Sequence, residues 1–371
     1  MYKLLKNNTL KRNSQAFTLI ELLVVIAIIG ILVTLAVVSL NNSRAIARDA
    51  KRLNDLRSIA NALEFYYVDN NSYPSSITPG EPIEANDIVY MSSVPSNPIP
   101  HTDGNCPNEE YRYTSNNLNY YSLISCLGSN TLNLPAGGII VEAGGPIRSI
   151  GTLSGLIGWW RFEEGAGSVS YDLSGNGNNA NLINNPLWVT SDCKRGSCLQ
   201  FNGINQHLNL GNTEQFNFSN TSNFTMAIWV KKIANPPDGN VIGLFAKPNK
   251  YGLDYDFSSL NFRAGIRNGS DGQYQASYYN AQNTLNEWTH LVFVYESEKS
   301  DGLRLYSDGI LRNSRTTIGL SPFYSAAPLF IASSSAAVGG TTRFLNGLVD
   351  DARIYNRALS SEEILQIYNS Y

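Results

Sequence analysis

The chain has 371 residues, only 15% of them charged, and a formal net charge of −3. That length suits two soluble parts plus a helix, and the weak acidity argues against nonspecific nucleic-acid binding by the whole chain. Tyrosine is abundant at 21 residues, and Asn, Ser and Tyr dominate the later sequence, as in extracellular β proteins.

The first sixteen residues carry Lys3, Lys6, Lys11 and Arg12 and no acid. The stretch Ala16-Phe17-Thr18-Leu19-Ile20-Glu21-Leu22-Leu23 follows and opens a long apolar run. From Phe17 to Leu40 the only ionisable side chain is Glu21. As a helix this run is about 36 Å long, enough to cross a hydrocarbon core of roughly 30 Å. A basic leader before an apolar segment is a signal-peptide pattern. This run is longer than a signal core, however, and no small-x-small cleavage site follows it directly. Basic residues ahead of the span favour a cytoplasmic N-terminus, with the polar bulk outside. A carboxylate deep in the membrane costs roughly 2.5–3.5 kcal/mol, so Glu21 needs a compensating partner.

This segment resembles the type IV prepilin class of pilins and type II secretion pseudopilins. The resemblance implies a prepilin peptidase that cuts between Ala16 and Phe17, followed by methylation of the Phe17 amine. The class usually has Gly before the cut, so Ala16 is a departure. It also implies that Glu21 of one subunit meets the Phe17 amine of its neighbour, giving each buried charge a partner. A first-turn carboxylate suits the helix dipole as well. On this reading residues 17–40 form a single pass in the inner (cytoplasmic) membrane, and other pilin subunits then draw the chain into an extracellular filament.

After Leu40 the sequence turns polar, yet Ile46, Ala50 and Leu53, and then Ile59 or Ala60 and Leu63, recur at three- and four-residue steps within each group. Arg44, Arg48, Lys51, Arg52 and Arg57 share the other face with Asp49 and Asp55, which reads as a solvated face. No proline occurs before Pro74, so one helix is predicted over about 17–68. From Tyr73 to Pro100 the chain reads as loop, with room for a short helix. Strands are predicted at Tyr111–Tyr113 and Tyr120–Ile124 around the turn-rich 114–117. Residues 17–128 therefore form a pilin helix and a small β head. Four cysteines outside the membrane suggest disulfides, and proximity pairs Cys106 with Cys126 and Cys193 with Cys198. Zinc is the alternative for four cysteines, but there is no Cys-x-x-Cys knuckle. Residues 129–154, poor in charge and rich in Gly and Ser, read as a linker, with Ile139–Val141 as a candidate short strand.

From Gly155 onward short strands alternate with turns, including Ile157–Phe162, Thr225–Lys231, Trp288–Tyr295 and Gly347–Tyr355. About a dozen strands there suggest a β-sandwich. Seven stretches come in order: Trp159–Gly165, Asp172–Asn178, Leu199–Gly203, Phe224–Val230, Trp288–Tyr295, Leu305–Gly309 and Gly347–Leu359. Together they resemble a laminin G-like domain of the concanavalin A-like jelly-roll class, covering 155–371. The chain is thus expected to be multidomain, α+β followed by an antiparallel all-β sandwich. Trp159, Phe162, Phe201, Trp229, Trp288 and Phe293 supply bulky faces for its core.

That resemblance implies a ligand-binding module, often for carbohydrate, and in many members calcium. Calcium takes six to eight oxygens, and Asp172, Asp350 and Glu163 are the matching acids. The plainer reading gives Asp172 an Asx turn and Asp350 a salt bridge with Arg353. Tyr251, Tyr255, Tyr274, Tyr278 and Tyr279 fall close together, where rings could stack on a pyranose; ordinary sheet tyrosines are the plainer reading.

The function expected is a non-enzymatic minor pilin or pseudopilin that displays a carbohydrate- or surface-binding domain for adhesion. One alternative is a structural pseudopilin of a type II secretion or DNA-uptake machine. Another is a glycoside hydrolase, which needs two carboxylates about 5–10 Å apart. The run Glu-x-Asp-x-x-Glu is absent, and Glu163-Glu164 are adjacent, so they would point to opposite faces of a strand.

Overall fold

A computed structural model describes residues 19–371, apart from 105, 116–119, 133, 220, 235–240, 249, 270–272, 281–283, 321, 323–324 and 334–343. The cut expected between Ala16 and Phe17 lies outside the described residues, as do Asn116 and Asn117 of the predicted turn. Helix α1 spans Leu19–Asn70. The chain divides into two units after Arg48.

In the first unit, α1 has an exposed apolar surface from Leu19 to Leu40. It is long and apolar enough to cross a membrane, and Glu21 lies in its first turn.

In the second unit, α1 buries Leu53, Leu56, Ile59, Ala60 and Leu63 at helical spacing. The predicted solvated face departs from expectation at Asp49 and Arg52, which are both fully buried. Arg52 pairs with Asp49 at 2.7 Å and Asp103 at 3.0 Å, and donates to Asn97 and the Pro100 carbonyl. Asp49 also accepts from the backbone N–H groups of Gly128 and Ser129. A buried ion needs this many partners to offset its lost hydration. No helix occupies the described part of 73–100; Ile83–Ala85 and Ile88–Met91 pair as a small hairpin instead.

Four antiparallel strands follow, in the order Arg112–Ser115, Tyr121–Leu127, Gly137–Glu142, Arg148–Gly151. The predicted linker 129–154 is therefore corrected, because it supplies two strands of the head sheet. The reason is packing on both sides. Ile139 and Val141 join the cluster under α1, while Ile140 and Ile150 join a second cluster on the opposite face. Gly138 is small for contact rather than for flexibility: a Cβ there would lie 2.7 Å from the Leu153 side chain and 2.9 Å from that of Ile150.

The sandwich has two antiparallel sheets. The first runs Leu187–Val189, Cys198–Asn202, Asn346–Tyr355, Phe224–Lys232, Trp288–Tyr295, Leu303–Ser307, Ile310–Arg315, with Leu156–Trp160 also paired to Asn346–Tyr355. The second runs Tyr274–Asn280, Asn261–Arg267, Tyr251–Asp256, Val241–Lys247, Phe330–Ile331, His207–Asn209, Ala180–Ile183, Val169–Ser170. Their strands alternate residues between two faces, and the inner faces meet around Trp160, Phe162, Phe201, Phe224, Phe245 and Phe293. Both disulfides form as proximity pairs them, Cys106–Cys126 and Cys193–Cys198. Helix α2, Ser361–Asn369, starts with a Ser360/Glu363 capping box.

The outer face of the first sheet is also buried. Trp159, Ala227, Val292, Val294, Tyr306 and Tyr355 pack there against Ile124, Cys126, Ile140 and Ile150 of the head and Ile364 and Ile367 of α2. Trp159 thus leaves the predicted sandwich core for this junction. Trp229 stacks on Tyr368 of α2, with ring centroids 5.5 Å apart. Trp288 is only half-buried and donates to the Asp192 carbonyl. From Asp49 on, the layers are helix, head sheet, first sandwich sheet, second sandwich sheet.

Since one apolar cluster joins head and sandwich, the two should unfold together. Trp159→Ala is expected to cost about 3–5 kcal/mol and to keep a single transition. Urea unfolding of the detergent-solubilised chain, followed by tyrosine and tryptophan fluorescence, checks this; two separate transitions would contradict it.

Candidate functional site

Of the acids expected to share calcium, Glu163 and Asp350 feel each other's charge, whereas Asp172 is engaged in a turn of its own. Among the described residues, no group of three or more His, Cys, Asp or Glu side chains could hold a metal. Asp172 accepts four hydrogen bonds. Its Oδ1 takes the N–H groups of Trp159 and Ser174, and its Oδ2 takes the Ser174 hydroxyl and the Asn178 N–H. The Ser174 bond closes an Asx turn, and no lone pair remains for a cation.

Asp350 and Glu163 belong to the junction with the head. Glu163 lies past the end of its strand and pairs with Arg161 at 2.9 Å while accepting from the Ser197 N–H. Asp350 accepts from the Arg195 N–H at 3.2 Å, and burial, then the Glu163 and Asp351 charges, push its carboxyl well above the usual range. The predicted Asp350–Arg353 bridge forms from the next residue instead. Arg353 Nε meets Asp351 Oδ2 at 2.8 Å. A bulge causes the switch: Ala227 pairs with Arg353 but Trp229 with Asp350, and Asp351 sits at φ 42°. This turns Asp351 towards the Trp159 indole N–H, which it also accepts.

The tyrosines divide by strand parity. Tyr251 and Tyr255 are buried in the sandwich core, and Tyr279 packs against it. Tyr274 and Tyr278 point outward from the second sheet; Tyr278 is exposed, and Tyr274 donates to Asp254 Oδ2 at 2.6 Å. The five do not form one aromatic platform.

Tyr274 does help to build a trough. A cavity of about 300 Å³ opens at the second sheet, lined by Ala246, Lys247, Lys250, Asp254, Arg263, Arg267 and Tyr274 among others. Its floor is low because Ala246, Gly252, Gly265 and Ala276 pair side by side across four strands. A Cβ on Gly265 would lie 2.7 Å from the Tyr274 ring, so glycine lets that ring lie across the sheet. Arg263 holds Asp254 at 3.1 Å, reaches Asp256 at 3.6 Å, and stacks 4.9 Å from the Tyr274 centroid.

At the other end stand Lys247 and Lys250, 1% and 2% exposed. Lys247 donates to the Asn212 side-chain oxygen, an uncharged partner. Burial, and for Lys247 also the Lys250 charge, lowers both amines to about 8. Sequence reading missed these residues. Period-two alternation in 251–256 and 261–267 marks Asp254 and Arg263 as outward-facing, whereas nothing local marks Lys247 as buried.

Two family models match this chain. The prokaryotic N-terminal methylation motif covers 11–37, and the concanavalin A-like lectin/glucanases superfamily covers 202–365. The chain joins a prepilin-type N-terminus to a concanavalin A-like domain. The prepilin-type part is 42% identical over 66 residues to the type II secretion system core protein G of Aeromonas hydrophila, which is 18% of this chain and 46% of that protein. It is 45% identical over 65 residues to the type IV wide pilus major component PilA4 of Thermus thermophilus, 18% of this chain and 50% of that protein. The chain spans about half the length of these curated relatives. Among solved structures, the binding domain of Paraclostridial Mosquitocidal Protein 1 aligns over 59% of this chain and 53% of its own, with a TM-score of 0.48 and 21% identity.

Two outcomes follow for the concanavalin A-like domain. Asp172→Ala should cost about 1–3 kcal/mol through its unpaired turn N–H groups, equally in calcium and in chelator, as read by thermal melts. Lys247 is protonated in folded and unfolded chains below pH 8. Above about 8 the unfolded chain, with lysine near 10.5, binds more protons. Wild type should therefore gain stability over Lys247→Met as pH rises from 8 to 10. Urea titrations of both proteins across that range check the sign.

Proposed function

We propose that this chain is a minor pilin or pseudopilin that presents its concanavalin A-like domain as a non-enzymatic, saccharide-binding module at a filament surface. The trough carries this reading. A small-residue floor, the flat Tyr274 ring and a rim of hydrogen-bond donors suit a pyranose ring better than the closed sandwich core does. Among the described residues lining it, Asp254 is the only acid, and Arg263 and Tyr274 already engage it. A hydrolase would need a second carboxylate there.

The N-terminal reading rests on the methylation motif and on Glu21 in the first turn of α1. A prepilin peptidase releases Phe17, residues 17–40 anchor the chain in the inner membrane, and the Phe17 amine then meets Glu21 of a neighbouring subunit. A purely structural pseudopilin, with the sandwich as a spacer, is the reading to which silence in every binding assay would point.

Two experiments test the proposal. Binding of the detergent-solubilised chain to immobilised polysaccharides should weaken at least tenfold in Tyr274→Ala, with no reducing ends released; unchanged binding would remove the trough from the function. Glu21→Ala should insert into the membrane as well as wild type or better, because the charge is gone, but be depleted from sheared filaments. Wild-type recovery in filaments would contradict the amine pairing.

A further inference from the structure

Apart from the trough, and independent of it, we propose that a cleft between the end of α1 and a free edge of the second sandwich sheet receives a short extended peptide with a basic side chain, Val169 pairing with its backbone and Glu164 with its cation. The cleft has a volume of about 800 Å³, within the range of ligand sites. Tyr67 and Asn71 form its head side, and Glu164, Val169, Tyr171 and Thr190 form its sandwich side. Val169–Ser170 is the terminal strand of the second sheet. Thr190 directly follows Leu187–Val189, the terminal strand of the first. An edge of each sheet therefore reaches this cleft.

Backbone groups at the second sheet's edge are open at one residue. Antiparallel pairs alternate between hydrogen-bonded and non-hydrogen-bonded positions. The Leu182 N–H donates to the Ser168 carbonyl at 2.8 Å, and Val169 and Ser170 pair with Asn181 and Ala180. Val169 is thus in a non-hydrogen-bonded pair, and its N–H and C=O point away from Ala180–Ile183. The outward groups two residues to either side are capped. The Gly167 carbonyl accepts from the Trp188 indole N–H at 2.9 Å, and the Tyr171 N–H donates to Glu164 Oε1 at 2.7 Å. Val169 stands between them, uncapped by any described side chain. Unpaired edge groups of this kind are a template for an added strand. One open residue between two capped ones fits a segment of a few residues.

Charge decides what that segment carries. Among the described residues lining the cleft, Glu164 is the only charged one. Its Oε1 accepts from the Ser170 hydroxyl and the Tyr171 N–H, whereas its Oε2 has no hydrogen-bond partner. Arg161, which shares a small neighbouring cavity with Glu164, is engaged by Glu142 and Glu163. Burial raises the Glu164 carboxyl to about 7, so an incoming cation gains by holding it ionised. The negative end of the α1 dipole adds to the attraction, since α1 ends at Asn70 with no basic residue in its last turn. Glu164 caps the edge two residues from Val169, which brings its carboxylate beside a strand paired there. Tyr67 and Tyr171 supply apolar surface for a lysine or arginine stem.

The test uses the full chain in a neutral detergent at pH 8, titrated calorimetrically with end-capped peptides. The probes are Ser-Val-Lys-Val-Ser, the same peptide with norleucine for lysine, the lysine peptide N-methylated at both valines, and N-acetyl-lysine amide as the amine alone. The lysine peptide should bind at least tenfold tighter than each of the others. Glu164→Gln should make the lysine and norleucine peptides bind equally. Val169→Pro removes the outward N–H without touching the bonds to Ala180–Ile183. It should weaken the lysine peptide at least tenfold while keeping the wild-type circular dichroism. Tyr274→Ala should leave peptide binding unchanged, which separates failure of the cleft from failure of the trough. Equal binding of lysine and norleucine peptides to wild type, or undiminished lysine-peptide binding in Glu164→Gln, would overturn the inference. So would N-methylated peptide or N-acetyl-lysine amide bound as tightly as the lysine peptide, or binding of none of the probes.

Discussion

The strand Tyr121–Leu127 is buried along its whole length, and the second unit is organised around that fact. Leu123 and Leu127 face the cluster under α1, while Ile124 and Cys126 face the outer side of the first sandwich sheet. A strand covered on both sides reads as a near-continuous apolar run, and each fully buried Leu or Ile contributes about 1.5–3 kcal/mol. The head sheet cannot be stripped from either neighbour without exposing one of these faces. The small head is thereby the middle layer of a larger body.

Polar contacts at the same junction set its orientation. Arg353 donates to the Ile150 carbonyl at 2.6 Å, and Tyr355 donates to the Thr152 carbonyl at 3.2 Å. Arg357 reaches the Ser154 carbonyl and the Thr152 hydroxyl while pairing with Glu363 of α2. From the head side, Arg112 donates to the Leu173 and Ser174 carbonyls beside the Asp172 turn. Apolar packing alone tolerates sliding, whereas charged donors aimed at particular carbonyls do not. Two of the acids expected to bind calcium are held by polar contacts of this kind: Glu163 by Arg161 and Ser197, Asp172 by its own turn.

The trough lies on the second sheet, away from the face that the head covers. One sheet attaches the sandwich to the head, and the other carries the trough on its outer face. A load applied at the trough passes through the sandwich core and the junction into the head sheet and the α1 residues packed under it, with no tether between. That continuity keeps the trough at a set orientation to the head sheet.

Much of this was legible in the chain itself. A basic leader, Phe17, Glu21 and an uninterrupted apolar run specify the long helix, because hydrophobic length and helical period are local properties. Strands such as Trp288–Tyr295 and the two short-range disulfides were likewise readable from alternation and proximity. Faces were not. Gly137-Gly138 looked like linker because glycine is common there, yet in the fold it permits close contact with Ile150 and Leu153. Asp49 and Arg52 looked solvated because helical period cannot say whether a second layer covers the polar side. Five tyrosines close in sequence separated because alternate strand residues face opposite sides of a sheet. Lys247, Lys250, Arg263 and Tyr274 came together only when neighbouring strands paired in register. Sequence thus determined the elements and the N-terminal motif, while tertiary structure alone decided which faces are covered and which side chains share a site, since burial depends on partners distant in the chain.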